Sequence, residues 1–171
     1  MLHLLQYLLI LAFPALVAVA ALRDLTSFTI PNWISLALIC AFVPAAIAAG
    51  VPWTQVGLCA AVGVVGLVIG MGLFAAGWVG GGDAKLLAAA SLWIGWPACV
   101  TYLVYTALAG GGLACLLLGL RSAWVRPALP KRPGWFARLI EPGAAVPYGV
   151  AIAIGALAAF PASPILRALG V

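Results

Sequence analysis

Long apolar runs separated by short polar breaks dominate the chain from end to end. The first run is about Leu2 to Leu22, the second about Asn32 to Ala49, and the third about Thr54 to Gly77. A hydrocarbon core about 30 Å thick needs roughly 20 apolar residues as a helix, so each of these predicts a crossing. The break at Gly80-Gly81-Gly82-Asp83-Ala84-Lys85 is followed by a shorter run, Leu86 to Trp96, ended by Pro97. As a helix that run reaches only ~16 Å. A fifth run spans about Ala98 to Leu120 and a sixth about Ala145 to Phe160. The tail from Pro161 is expected to lie along the interface with Arg167 among headgroups. The pattern predicts an all-α integral membrane protein of about six transmembrane helices, the fourth short.

Composition excludes the soluble alternative. Of 171 residues, 67% are hydrophobic and 6% charged, and the mean hydropathy is +1.26. A water-facing domain carries about 25% charged residues. The net charge of +5 does not argue for nucleic acid, because five of the eight basic residues lie in one stretch between apolar runs: Arg121, Arg126, Lys131, Arg132 and Arg138. A loop at about 121–144 with that charge reads as cytoplasmic. With six crossings and the N-terminus outside, Arg23 and Lys85 share its side; without the short fourth crossing they do not. Retention of the first run as a helix follows from its flanks. No Lys or Arg precedes it and Arg23 follows it, the reverse of a signal peptide.

Other residue types change the picture less. Cys40, Cys59, Cys99 and Cys115 all sit in apolar runs with no CxxC pair, so they read as packing residues and no metal site is expected. Trp33, Trp53, Trp78, Trp93 and Trp96 fall near span ends and read as interfacial anchors. Gly66 and Gly70 form a GxxxG step, and Gly110-Gly111-Gly112 is a second small-residue site. Both favour close helix packing within the chain over a homo-oligomer interface.

The chain has only three acids, Asp24, Asp83 and Glu141. Asp24 ends the first span and Asp83 follows the third, so both are expected at the cytoplasmic face. A helix hairpin between them returns the chain to that face. Two carboxyls sharing a small site cannot both ionise easily; one keeps a proton while the other acts as base. Such a pair can activate water and protonate a departing amine without metal or cofactor. The plainer alternative makes each Asp a boundary charge beside Arg23 or Lys85, and charge placement alone modestly favours it. Gly80-Gly81-Gly82-Asp83 fits the pattern GxGD, whose glycines leave the backbone free and give room for a substrate strand. A phosphate cradle using Lys85 is disfavoured, since Asp83 would repel phosphate. Glu141 reads as a solvated loop charge.

Three segments together resemble the type IV prepilin peptidases, GxGD-type membrane aspartyl proteases. They are Asp24 with Ile30-Pro31-Asn32, Gly80 to Lys85 with Leu86, and Pro147-Tyr148-Gly149 opening the last span. The resemblance implies a single membrane-embedded peptidase domain over 1–171, with Asp24 and Asp83 as the catalytic dyad. Gly80, Gly82, Lys85, Pro31, Asn32, Pro147, Tyr148 and Gly149 would support the site. It implies removal of the short basic leader of prepilins or pseudopilins at the cytoplasmic face of the bacterial inner membrane, with no cofactor and with pilus-assembly proteins as candidate partners. Lys85 either favours ionised Asp83 or anchors topology. Larger members carry an N-terminal region with paired cysteines linked to methylation. This chain opens on its first span, so it resembles the short peptidase-only form of tight-adherence (Flp) pilus systems. The rival from another class is a small proton- or cation-coupled transporter using the same two acids, disfavoured by the lack of an internal repeat. A non-catalytic membrane subunit would tolerate amide replacement of either acid.

Overall fold

Lipid offers the backbone no hydrogen-bond partners, so an apolar run must satisfy its own N–H and C=O groups, as a helix does. The computed structural model, which describes residues 2–122, 124–125 and 134–170, is built accordingly. Its helices are α1 (Leu2–Ser27), α2 (Asn32–Ala48), α3 (Trp53–Ala75), α4 (Gly81–Ile94), α5 (Ala98–Arg121), α6 (Trp135–Leu139), α7 (Tyr148–Ala159) and α8 (Pro164–Ala168), with a 3-10 turn at Phe160–Ala162. Four helical stretches are long and apolar enough to cross a membrane: Gln6–Ser27, Trp53–Ala75, Ala98–Arg121 and Tyr148–Ala168. The all-helical membrane architecture is as expected. Of about six expected crossings, these four meet the length; α2 has 17 residues and α4 has 14. Arg126, Lys131 and Arg132 of the expected basic loop lie outside the described residues.

Side-chain contacts sort the helix ends into two sets. At one end Lys85 meets Asn32, Asp24 meets Gly149, and Arg121 meets Ala144. At the other, Gln6 meets Ala48 and Gln55 meets Trp96. Arg23, Lys85 and Arg121 therefore share one end of the bundle, as the charge pattern required.

α4 is short, as expected, but begins earlier than the apolar run. It starts at Gly81, inside the glycine run, and nearly all of its side chains are buried, chiefly against α2, α3 and α7. At ~21 Å it is too short to cross alone. Its place at the centre of the protein resolves that, because neighbouring helices cover its ends. Small residues allow the fit. A Cβ on Gly66 would stand 2.7 Å from Ser91 Oγ, and one on Gly70 would stand 2.9 Å from the Ala84 carbonyl oxygen. The GxxxG step thus seats α4 on α3, within the chain.

Trp93 is not an interfacial anchor. It is fully buried, donates its indole N–H to the Leu38 carbonyl at 2.8 Å, and stacks on Phe13 with centroids 5.1 Å apart. Its position near a helix end suggested the interface; the burial of α4 placed it in the core. Trp33, Trp53, Trp78 and Trp96 are exposed as expected. The tail also differs. Ser163, Pro164 and Ile165 are buried as α8 folds back on the bundle, and Arg167 is exposed. Cys59 and Cys99 are buried, Cys40 and Cys115 face outward, and all four are free thiols.

One basic residue does more than orient the chain. Arg121 donates to the carbonyls of Leu139, Ala144 and Ala145 at 3.0, 2.9 and 3.0 Å, tying the segment before α7 to the end of α5. Arg121→Lys keeps the charge but loses the planar fork. Limited trypsinolysis in detergent should then cut faster at Arg138, while Arg167 is unaffected. Gly70→Leu overpacks the α3–α4 contact and should destabilise the protein by about 1–3 kcal/mol, seen as earlier thermal unfolding; Gly72→Leu, with open space around it, should not.

Candidate active site

The first acid is held by a helix that runs past its expected end. α1 continues to Ser27 because the hydroxyls of Thr26 and Ser27 donate back to the carbonyls of Leu22 and Arg23, at 2.7 and 2.6 Å. Asp24 therefore lies inside α1 and not beyond it. The chain then reverses through Phe28, whose φ is +54°, and Pro31 in an extended conformation leads into α2. Asp24 is 5% exposed, and its Oδ2 accepts the Gly149 N–H at 2.7 Å.

Gly149 is the second residue of α7, directly after buried Pro147 and half-buried Tyr148. A Cβ here would stand 2.9 Å from Asp24 Oδ2 and 2.7 Å from Ile30 Cδ1. Only a residue without a side chain lets the N–H reach the carboxylate this closely.

The second acid sits in the first turn of α4. Asp83 Oδ2 accepts the Gly80 N–H at 3.0 Å, closing the helix start on itself. Such a contact satisfies one of the free N–H groups of a helix start. Gly82 faces Ile30: a Cβ on it would stand 3.2 Å from the Ile30 carbonyl oxygen. The glycines thus let α4 abut the α1–α2 turn that carries Asp24. Asp83 is 8% exposed, and its Oδ1 is buried with no hydrogen-bond partner.

The two acids meet around Gly149. Ile30 packs against both Gly149, whose N–H bonds Asp24, and Gly82, the residue before Asp83, so the two acids lie on either side of one contact. The three expected segments thus converge at one end of the bundle. Pro31 and Pro147 precede helices there, and Gly80, Gly82 and Gly149 make the close approaches. Tyr148 lines a groove that also contains Asp83. Lys85 turns elsewhere: it is exposed, and its Nζ donates to Asn32 Oδ1 at 2.9 Å. That bond ties α4 to α2, which favours a structural role over a direct partner for Asp83. Glu141 is exposed in the segment after α6. Among the described residues no three of His, Cys, Asp and Glu come together as a metal-binding group.

Sequence reasoning missed Arg121 as the clamp before Pro147, and Ile30 as the spacer against which two glycines pack. The Arg121 role had no separate signal, since one arginine among five basic residues reads as topology. Ile30 was visible as part of a motif but not as a packing surface.

A model of the type IV leader peptidase family matches residues 11–115. The matched stretch holds Asp24, the whole glycine run, Asp83 and Lys85, and it ends before Pro147. Neither a curated protein nor a solved structure gave a match. With more than half of its length matched, and with both acids inside that stretch, the chain belongs to the type IV leader peptidase family.

Proposed function

We propose that this protein is a membrane aspartyl endopeptidase that removes the short basic leader of prepilins or pseudopilins, with Asp24 and Asp83 as its catalytic dyad. One observation carries the reading: two buried carboxyls, 59 positions apart in the chain, come together about the Gly149 N–H at one end of a helix bundle. Family membership supports leader-peptide cleavage in general. The short prepilin leader and the tight-adherence substrate class come from the motif resemblance.

The chemistry follows from the pair. One carboxyl retains a proton and the other is ionised. The ionised group takes a proton from a water, whose oxygen attacks the scissile carbonyl carbon. The protonated group gives its proton to the departing nitrogen as the C–N bond breaks. Each carboxyl keeps one oxygen on a backbone N–H, which fixes its orientation and leaves the other oxygen for the reaction.

Six helices running between the two ends, counting short α2 and α4, make six crossings of a single domain. The basic end faces the cytoplasm by the positive-inside rule, the N-terminus lies outside, and the membrane is the bacterial inner membrane. A cytoplasmic dyad suits a substrate whose leader is basic and whose cut lies just before its apolar segment. Pilus-assembly proteins are the proposed partners beyond the substrate.

Purified protein mixed with a prepilin should release the leader. Asp24→Asn and Asp83→Asn should each lower kcat by at least about 100-fold with the fold intact by circular dichroism. Cleavage persisting in either variant would sink the dyad. The pH profile of kcat/KM should be bell-shaped, because both fully protonated and fully ionised pairs are inactive. Gly149→Val should abolish cleavage by pushing Asp24 away, where Val150→Ala is tolerated.

A further inference from the structure

α3 with α4 and α5 with α7 form two tightly packed pairs, while α4 and α5 touch little. Between the pairs lies a groove of about 370 Å³. It begins at Asp83 and Tyr148, near the dyad, and continues along α5 past Gly111 and Ala107 to Leu103. From Ala114 to Leu103 that path covers ~16 Å, half the depth of a hydrocarbon core.

The two sides of α5 differ in kind. Its lipid-facing side carries bulky groups, with Leu108 66% and Val104 52% exposed. Its groove side is small: Thr106, Ala107, Gly110, Gly111 and Ala114. A Cβ on Gly111 would meet nothing within 4 Å, so the chain's own packing does not call for a glycine there. Open space beside small residues is what a second membrane helix needs to approach closely.

One polar atom points to an occupant. Asp83, more than nine-tenths buried, lines the groove with Oδ1 unpaired. Thr106 lines the wall too, with its Oγ1 set against Gly155 of α7. Orphaned polar atoms in an apolar wall are rare unless something supplies the missing bond. A peptide leading into a helix that enters with its N-terminal end toward Asp83 brings polar backbone groups, the scissile bond among them, to that free oxygen. A lipid chain brings none.

We propose that this groove is the docking cleft for the apolar helix of the substrate, whose first turns pack on the small face of α5 and so deliver the preceding peptide bond to Asp83. The proposal rests on the peptidase reading above and adds the route by which substrate reaches the dyad. Only one face of the helix fits a volume of this size, so the remainder stays in lipid. Entry is lateral, from the membrane, and does not require the bundle to open.

The probe is a synthetic prepilin with a Lys-rich leader, a Gly before the cut and a 20-residue apolar helix, reconstituted in nanodiscs. A photoreactive phenylalanine analogue replaces Ala107 or, as control, Leu108, each in an Asp24→Asn background so that the probe stays intact. Ultraviolet light should cross-link the probe through position 107 and not through 108. Equal or stronger capture at 108, or lipid adducts alone at 107, overturns the cleft. Separately, Gly111→Leu should lower kcat/KM for the probe at least tenfold while leaving unchanged the cleavage of a truncated peptide that lacks the apolar helix; Gly112→Leu, outside the groove, should leave both unchanged. Equal loss on both substrates for Gly111→Leu counts against docking. Cleavage of the probe by the unaltered protein tests the underlying reading independently: capture at 107 without cleavage would end the peptidase assignment and keep a helix-docking groove.

Discussion

One hydrogen bond joins the ends of this molecule: the Gly149 N–H to Asp24 Oδ2, at 2.7 Å and 125 positions apart in the chain. It links the last turns of α1 to the first turn of α7, and Ile30, packed on Gly149 and on Gly82, brings the start of α4 with Asp83 to the same place. A charged or half-charged acid at a membrane boundary is expensive unless a partner is at hand. Here backbone amides provide that partner, one from Gly149 and one from Gly80. Because backbone amides cannot titrate, they orient the two carboxyls without neutralising either, and the pair keeps its capacity to exchange a proton.

Close backbone approach is what makes this meeting achievable. Without a hydrophobic force between helices in lipid, contact depends on shape and on dispersion at short range. Gly66 and Gly70 let α3 sit against α4, Gly82 lets α4 sit against the α1–α2 turn, and Gly149 lets α7 sit against Asp24. Each removes a side chain at a place where another group needs the space. The short central helix follows from the same logic. α4 tolerates 14 residues because other helices surround it. Arg121 then holds the segment before Pro147 in place through three carbonyls.

Much of this was legible and some was not, for identifiable reasons. Span positions followed from run length, and α2 and α5 agree with expectation to within about a residue at each end. The end of α1 is not apparent because Arg23, Asp24, Thr26 and Ser27 look like a break, yet hydroxyls that bond back to carbonyls can be accommodated within a helix. The start of α4 was missed because three glycines disfavour a helix in isolation, and burial overrode that preference. Trp93 was misplaced because a tryptophan near a span end is ambiguous between interface and core. Asp24, Asp83 and Gly149 were all marked in advance, since acids and glycine runs are rare enough in an apolar chain to stand out.

The sequence by itself determined the solvent, the approximate number of helices, the end that carries positive charge and the few residues able to do chemistry. Those are properties of composition, run length and short motifs, which need no knowledge of neighbours. Tertiary structure alone decided that α4 is the centre of the bundle, that Lys85 pairs with Asn32 and not with an acid, that Arg121 is a clamp, and that a groove opens between two helix pairs beside Asp83. Each of these depends on which faces meet across distant stretches of chain, and a periodic apolar pattern leaves that choice open because in lipid nearly every face is apolar.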